Sequence, residues 1–271
     1  MDRYVVIGNP VAHSLSPEIH ARFAQETGQV LEYSRLPVPP GEFAAHARRF
    51  FDEGGRGANV TLPFKEDAFR FATSASARAT QAGAANVLSR SAGGIAADNT
   101  DGAGLVRDLT GNLGIGISGR RVLLLGAGGA ARGVVGPLLA LRPARLAIAN
   151  RTRSRADALV AAFASLGAIE AMAIEALAAE SHDVVINATS SSVRGEPLAL
   201  PAGVLRANVF AYDMAYGPAA RGFLAEAQAA GARASDGLGM LVEQAAESFL
   251  LWRGVRPPTA GILAELRART P

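Results

Sequence analysis

Lys65 follows the turn "NVTLPF" (59–64), and Asp101 lies in "NTDG" (99–102). A lysine set beside apolar groups can act as a general acid or base, and an aspartate close to it would keep it oriented. No other pair in the chain has this character. Spacing alone also fits a plainer arrangement, with Lys65 on a solvated helix face beside Glu66 and Asp67. Two further polar clusters stand in turns: "HSLSP" (13–17), with Ser14 and Ser16, and "AAN" (84–86), with Asn86. Each has a structural use of its own. Ser16 can cap a helix, Asn59 and Thr61 can satisfy a turn, and Asp101 can cap a helix over 102–110. Several of them fall near predicted strand ends, where open α/β sheets place their ligands.

A second set of residues fits a nucleotide. "LLLGAGGAARG" puts Gly126, Ala127, Gly128, Gly129 and Ala130 between an apolar strand and a helix, with Ala131 at the last position of a G-x-G-x-x-G/A template. The glycines permit a tight turn and a close backbone approach to a pyrophosphate, and the helix start supplies N–H donors. A little over 20 residues on, where an acid would hold the ribose hydroxyls of NAD, the chain reads "NRTRSRA" (150–156). Asn150, Arg151, Thr152 and Arg155 would make an anion pocket suited to a 2′-phosphate. The plain alternative is a solvated first turn of a surface helix. Cations at a helix N-terminus oppose its macrodipole, however, and a bound phosphate removes that conflict. The pattern favours NADP over NAD, with Arg151 and Arg155 on the phosphate and Arg153 facing solvent.

These residues need strands and helices to hold them. The first third alternates short strands (4–8, "VLEYSRL", "GANV", 86–90 and 94–98) with helices, one opening at Ser16-Pro17 and one over 41–53 ended by Gly54-Gly55. From Arg121 the texture is more regular: "RVLLLG", a helix to about Leu141, "RLAIAN", a helix over 152–165, "DVVINA" and "NVFAYDM". Fully apolar strands alternating with helices imply a doubly wound parallel sheet. The stretch 237–271 is helical and offers that sheet no strand, so it is expected to pack back on the first domain. The fold class is therefore α/β in two domains, 1–101 with 237–271 and 102–236.

Composition narrows the function classes. The chain has 271 residues, enough for one large domain or two small ones, and 49% of them are hydrophobic. Lys and Arg number 27 against 24 Asp and Glu, a net charge of +3, so neither nucleic acid nor an anionic membrane is the expected partner. Cysteine is absent, which excludes disulfides and thiolate chemistry. His13, His20, His46 and His182 show no ligand spacing, and no metal is expected. His13 reads as a bystander near the site and the other three as surface or satisfied histidines. With no signal-like start and no apolar run long enough to span a bilayer, a soluble cytoplasmic protein is expected.

The four turn clusters, "GAGGAA", "NRTRSRA", "NATSSS", "YDMAYGP" and "DGLGMLVEQAAESFLLWRG" resemble, in order and spacing and over essentially the whole chain, the shikimate dehydrogenases. The resemblance implies an N-terminal substrate domain, a Rossmann-like NADP domain, and the NADPH-dependent reversible reduction of 3-dehydroshikimate to shikimate in aromatic amino-acid biosynthesis. It implies that Ser14 and Ser16 hold the substrate carboxylate, that Asn59 and Thr61 line the same pocket, and that Lys65 and Asp101 are the catalytic pair. Asn86 and Asp101 would bind ring hydroxyls, Gln244 would reach back from the tail, and Tyr216 would approach from the nucleotide side. Met214 and Gly237 would flank the nicotinamide, and Thr189 and Ser190 would lie along the cofactor. Hydride would pass to the ring carbonyl carbon while Lys65 protonates its oxygen. The partner is then a small molecule, and the protein a monomer or homodimer.

Two stretches depart from the family's pattern: "AARGFL" follows Pro218 in place of a "TPF"-like run, and Ser192 stands where glycine is common. The alternatives are a quinate/shikimate dehydrogenase using NAD, whose acid near the second strand's end is missing here, and a non-catalytic NADP-binding sensor, which would not need Lys65 and Asp101. RNA binding by the arginine cluster lacks a matching basic face elsewhere.

Overall fold

The computed structural model describes residues 1–269. The chain divides into two compact units, Met1–Gly104 with Leu241–Ala268, and Leu105–Met240. In the first unit the chain runs β1 (Asp2–Gly8), α1 (Ser16–Glu26), β2 (Leu31–Pro37), α2 (Phe43–Asp52), β3 (Gly57–Val60), α3 (Lys65–Phe71), β4 (Ser74–Ala75), α4 (Ala77–Ala82), β5 (Val87–Ser91), β6 (Gly94–Asp98) and α5 (Asp101–Arg107). The sheet order is β2-β1-β3-β5-β6-β4. β1 lies parallel to both β2 and β3, so its last five residues are buried, whereas β5 runs antiparallel to β3 and β6. The mixed pairing follows from a hairpin: β5 and β6 are joined at Gly93-Gly94, too short a link for a parallel crossover. Ser16 does not cap α1. It is the first helical residue, and its N–H donates to the Ser14 hydroxyl (3.2 Å).

The second unit continues with β7 (Arg121–Leu125), α6 (Gly129–Ala140), β8 (Arg145–Ala149), α7 (Arg153–Phe163), β9 (Ile169–Met172), β10 (Val184–Asn187), α8 (Ser191–Arg194), β11 (Phe210–Asp213), α9 (Arg221–Ala229) and β12 (Arg233–Ser235). All six strands are parallel, in the order β12-β11-β10-β7-β8-β9. Alternate residues feed two cores, Leu124, Ile148, Ile186 and Tyr212 on one face and Leu123, Ala147, Val185 and Ala211 on the other. Burial on both faces is why these strands are apolar throughout. The chain ends with α10 (Leu238–Arg253) and α11 (Ala260–Arg269). Trp252 of α10 packs on Tyr4 of β1 (ring centroids 4.7 Å apart) and donates its indole N–H to the Ser89 hydroxyl (3.0 Å). The tail therefore belongs to the core of the first unit. Among the described residues no helix is long and apolar enough to cross a membrane.

Two histidines depart from expectation. His20 is fully buried, stacked on Tyr33 (centroids 4.2 Å) and bordered by Phe23, Phe249 and Trp252. His182 is buried in the second unit. Neither ring has a hydrogen-bonded nitrogen among the described residues, so neither is a surface or satisfied histidine. Burial holds His20 neutral, with its pKa lowered to about 3; the Asn59 side chain opposes this without reaching hydrogen-bonding geometry. His182 is lowered to about 4, first by burial and then by nearby arginines. A histidine depressed in the folded state is protonated first in the unfolded chain. Its stabilising contribution is thus complete above about pH 6.5 and is lost as the pH falls toward the folded value. For His20 the loss between pH 7 and pH 4 is roughly 3 kcal/mol. Chemical denaturation across this range should therefore show stability falling with acidity, and His20→Phe, which fits the aromatic cluster and cannot titrate, should have a shallower acid limb than the parent. Equal slopes in both would show that His20 does not drive it.

Candidate active site

Lys65 is the first residue of α3 and Asp101 the first of α5, so two helix starts carry this ion pair to the end of the first unit's sheet. The Lys65 ammonium donates to Asp101 Oδ2, and the side chains are only 14% and 5% exposed. This excludes the solvated helix face as the setting of Lys65. Asn86, just before β5, donates to Asp101 Oδ1 (2.8 Å) and also to Thr100 Oγ1 (3.0 Å) and Gln244 Oε1 (3.2 Å). Its own Oδ1 takes the Thr100 N–H (2.7 Å). Asn59 of β3 donates to the Asn86 backbone carbonyl oxygen (3.2 Å) and to Ser248 Oγ (3.0 Å) and accepts from the Tyr33 hydroxyl (2.8 Å). Ser14 donates to Ser16 Oγ (3.1 Å), and Ser16 in turn neighbours the Tyr33 hydroxyl. Thr61 closes the turn after β3 with its N–H on Ile7 O (2.9 Å).

The fold thus brings Asn59, Lys65, Asn86, Asp101 and Gln244 into one buried network. Tyr33, Thr100 and Ser248 complete it. Sequence reading passed over these three: Thr100 lies inside a quoted motif, and Ser248 follows Gln244 by one helical turn, but Tyr33 comes from an edge strand and carries no local signal. A second network holds α10 in place. Arg78 donates to Asp98 Oδ1 (2.6 Å) and to Glu247 (3.3 Å), and Arg256 bridges Glu247 (2.9 Å) and Glu243 (2.7 Å). Burial would push the Asp98 carboxyl up, but the Arg78 guanidinium and the Ser76 hydroxyl outweigh it and hold it below the usual carboxylate range. Such a bracing fixes Gln244 against Asn86. Among the described residues no three His, Cys, Asp or Glu side chains gather as a metal site would require.

In the second unit Gly126 donates its N–H to Ala149 O (2.7 Å) at φ +111°, and a Cβ there would lie 3.0 Å from Ala188 O. Only glycine fits the point where the ends of β7, β8 and β10 converge. Gly128 precedes α6 with no side-chain cap and nothing within 4 Å of where its Cβ would stand, while Ala127 and Ala131 are buried. Gly129 and Ala130 form the first turn, which has no acid. The helix start therefore keeps its N–H donors clear, as a pyrophosphate needs. Asn150 folds its amide back on Thr152 O (2.9 Å), and Thr152 precedes α7 without capping it. Arg153 is tied to Asp157 (2.8 Å), whereas the exposed Arg151 and Arg155 make no side-chain hydrogen bond among the described residues. These residues fit an NADP-like dinucleotide. Thr189 donates its N–H (3.0 Å) and hydroxyl (2.8 Å) to Asn187 Oδ1, and Ser190 accepts from Arg194. Met214 N–H donates to Asn187 O (2.9 Å), Gly237 N–H to Ala215 O (2.8 Å), and Asp236 takes the Gly217 N–H (3.0 Å) beside Tyr216.

Three family models match the chain: the shikimate dehydrogenase substrate binding domain over residues 6–88, shikimate / quinate 5-dehydrogenase over 109–194, and the shikimate 5'-dehydrogenase C-terminal domain over 237–267. A curated relative from Acidovorax sp. (strain JS42), named shikimate dehydrogenase (NADP(+)), is 57% identical over 98% of this chain and 96% of its own. Among solved structures, an Ael1 enzyme from Pseudomonas putida is 47% identical with a TM-score of 0.90, covering 98% of each chain. The shikimate 5-dehydrogenase of Thermus thermophilus, in complex with NADP(H) and shikimate, is 32% identical with a TM-score of 0.86, covering 99% of each. Likeness of this extent runs through both units, and the chain belongs to the shikimate dehydrogenase family.

Proposed function

We propose that this protein catalyses the NADPH-dependent reversible reduction of 3-dehydroshikimate to shikimate in aromatic amino-acid biosynthesis. The observation that carries the reading is the buried Lys65–Asp101 pair, braced through Asn86 and Gln244. Residues 1–101 with 237–271 form the substrate and catalytic part, and 102–236 the NADP part. Ser14 and Ser16 bind the substrate carboxylate, with Asn59 and Thr61 beside them, and Asn86, Asp101 and Gln244 orient the ring hydroxyls. Bound NADPH supplies a hydride to a carbonyl carbon. As negative charge grows on the carbonyl oxygen, Lys65 donates its proton there, and Asp101 keeps the ammonium aimed. In the reverse direction Lys65 takes the hydroxyl proton. The substrate is a small molecule, and the protein works in the cytoplasm as a monomer or homodimer.

Two outcomes test the assignment. Lys65→Ala should lower turnover by a factor on the order of 10² or more while NADPH binding, followed by its fluorescence, changes little; near-normal turnover would remove Lys65 from the chemistry. Arg151→Ala should weaken NADP by about tenfold or more, the value of a charge-assisted hydrogen bond, and NAD much less. Equal losses would refute a 2′-phosphate contact. Assays of the parent crossing shikimate and quinate with NADP and NAD decide between this reading and a broader quinate/shikimate dehydrogenase, and absence of turnover with every pair would favour a sensor.

A further inference from the structure

Ser192, which departs from the family's pattern, is not an idle surface residue. It sits in the short helix α8 and is buried with the last residues of two adjacent strands, Asn187 of β10 and Asp213 of β11, which are register partners. The Ser192 hydroxyl donates to Asp213 Oδ2 (2.6 Å) and accepts from Asn187 Nδ2 (2.9 Å). Asn187 closes the triangle with a second N–H to Asp213 Oδ2 (3.0 Å). The two free corners each hold a loop. Asn187 Oδ1 takes both donors of Thr189, and Asp213 Oδ1 takes the Ala215 N–H (2.8 Å). Thr189–Ser190 and Met214–Tyr216 are therefore registered against each other through the Asn187–Asp213 contact, which the Ser192 hydroxyl bridges a second time. Desolvation pushes the Asp213 carboxyl up, against the donors that surround it. A buried acid in this position depends on each donor it has, because a lost one is replaced only where the site has room for a water.

We propose that Ser192 is a positioning residue for the cofactor: by bridging Asp213 and Asn187 beside their direct hydrogen bond it fixes the spacing of the Thr189–Ser190 and Met214–Tyr216 loops between which the nicotinamide end of NADPH is held. This rests on the reading under Proposed function that residues 102–236 bind NADP, with Thr189, Ser190 and Met214 beside the cofactor as the family resemblance implies. The two readings fail separately, because NADPH binding is read without substrate. In Ser192→Ala the hydroxyl is gone and the remaining Cβ leaves too little room for a water in its place, so the dissociation constant for NADPH, titrated by its fluorescence, should rise about tenfold. KM for NADP should rise in step, while kcat and KM for shikimate stay within twofold. Ser192→Gly also deletes the hydroxyl but leaves room for a bridging water, and its loss should be smaller, two- to threefold. Asp213→Asn combined with Ser192→Ala should bind NADPH no more weakly than Asp213→Asn alone, since the serine acts through the aspartate. The proposal is overturned if both single variants bind NADPH as the parent does, if the losses in the double variant are additive, or if kcat falls with cofactor affinity unchanged. A merely structural serine would lower the melting temperature and leave the binding constant in place.

Discussion

The ion pair of Lys65 and Asp101 sets terms for the whole first unit. Two opposite charges removed from water cost several kcal/mol each unless geometry and further hydrogen bonds compensate them. Asp101 Oδ2 takes the ammonium, so Oδ1 must find another donor, and Asn86 provides it. Asn86 is then committed, and its remaining amide atoms are met by Thr100 and Gln244. Gln244 lies in the tail, which makes the return of α10 to the first unit a requirement of the site rather than a packing convenience. Tail and sheet are secured in turn by the Arg78–Asp98 and Arg256–Glu243 pairs and by Trp252 on Tyr4.

The second unit solves a different problem, the presentation of backbone donors and cations to an anion. Gly126 draws three strand ends together, and α6 begins beyond it with open donors. The arginines at the start of α7 oppose that helix's macrodipole, which is tolerable where a phosphate is to be bound. Arg153 is neutralised within its own helix by Asp157, whereas Arg151 and Arg155 are the two that the proposed reading assigns to the phosphate. In the same sheet Asn187, Ser192 and Asp213 join two strand ends in one buried triangle of hydrogen bonds.

Gly239 shows a constraint no local pattern reveals. A Cβ there would strike the Asp108 carboxylate, which the Tyr212 hydroxyl (2.6 Å) and the Asn112 amide (3.0 Å) hold in place. The segment Asp108–Asn112 is itself a π-helical turn in place of the α-helix expected to run to 110. β4, β9 and β12 likewise escape the sequence pattern. They are edge strands of two to four residues, too short and too half-exposed for an alternation to register, and β12 reads only Arg-Ala-Ser.

By itself the sequence determined what depends on neighbours in the chain: the apolar strands of the parallel sheet, the glycine turn before α6, the cations after β8, and the family through motifs in fixed order. Periodicity and turn chemistry act over a few residues, so they survive in one dimension. Only the tertiary structure decided which polar residues are partners. Lys65 and Asp101 are 36 positions apart, Asn86 and Gln244 158 apart, and Tyr33 and Asn59 lie on different strands. Whether a lysine is a solvated helix residue or half of a buried ion pair, and whether a histidine is exposed or entombed without a hydrogen-bond partner, depends on desolvation. That is set by what other segments cover, and no spacing along the chain encodes it.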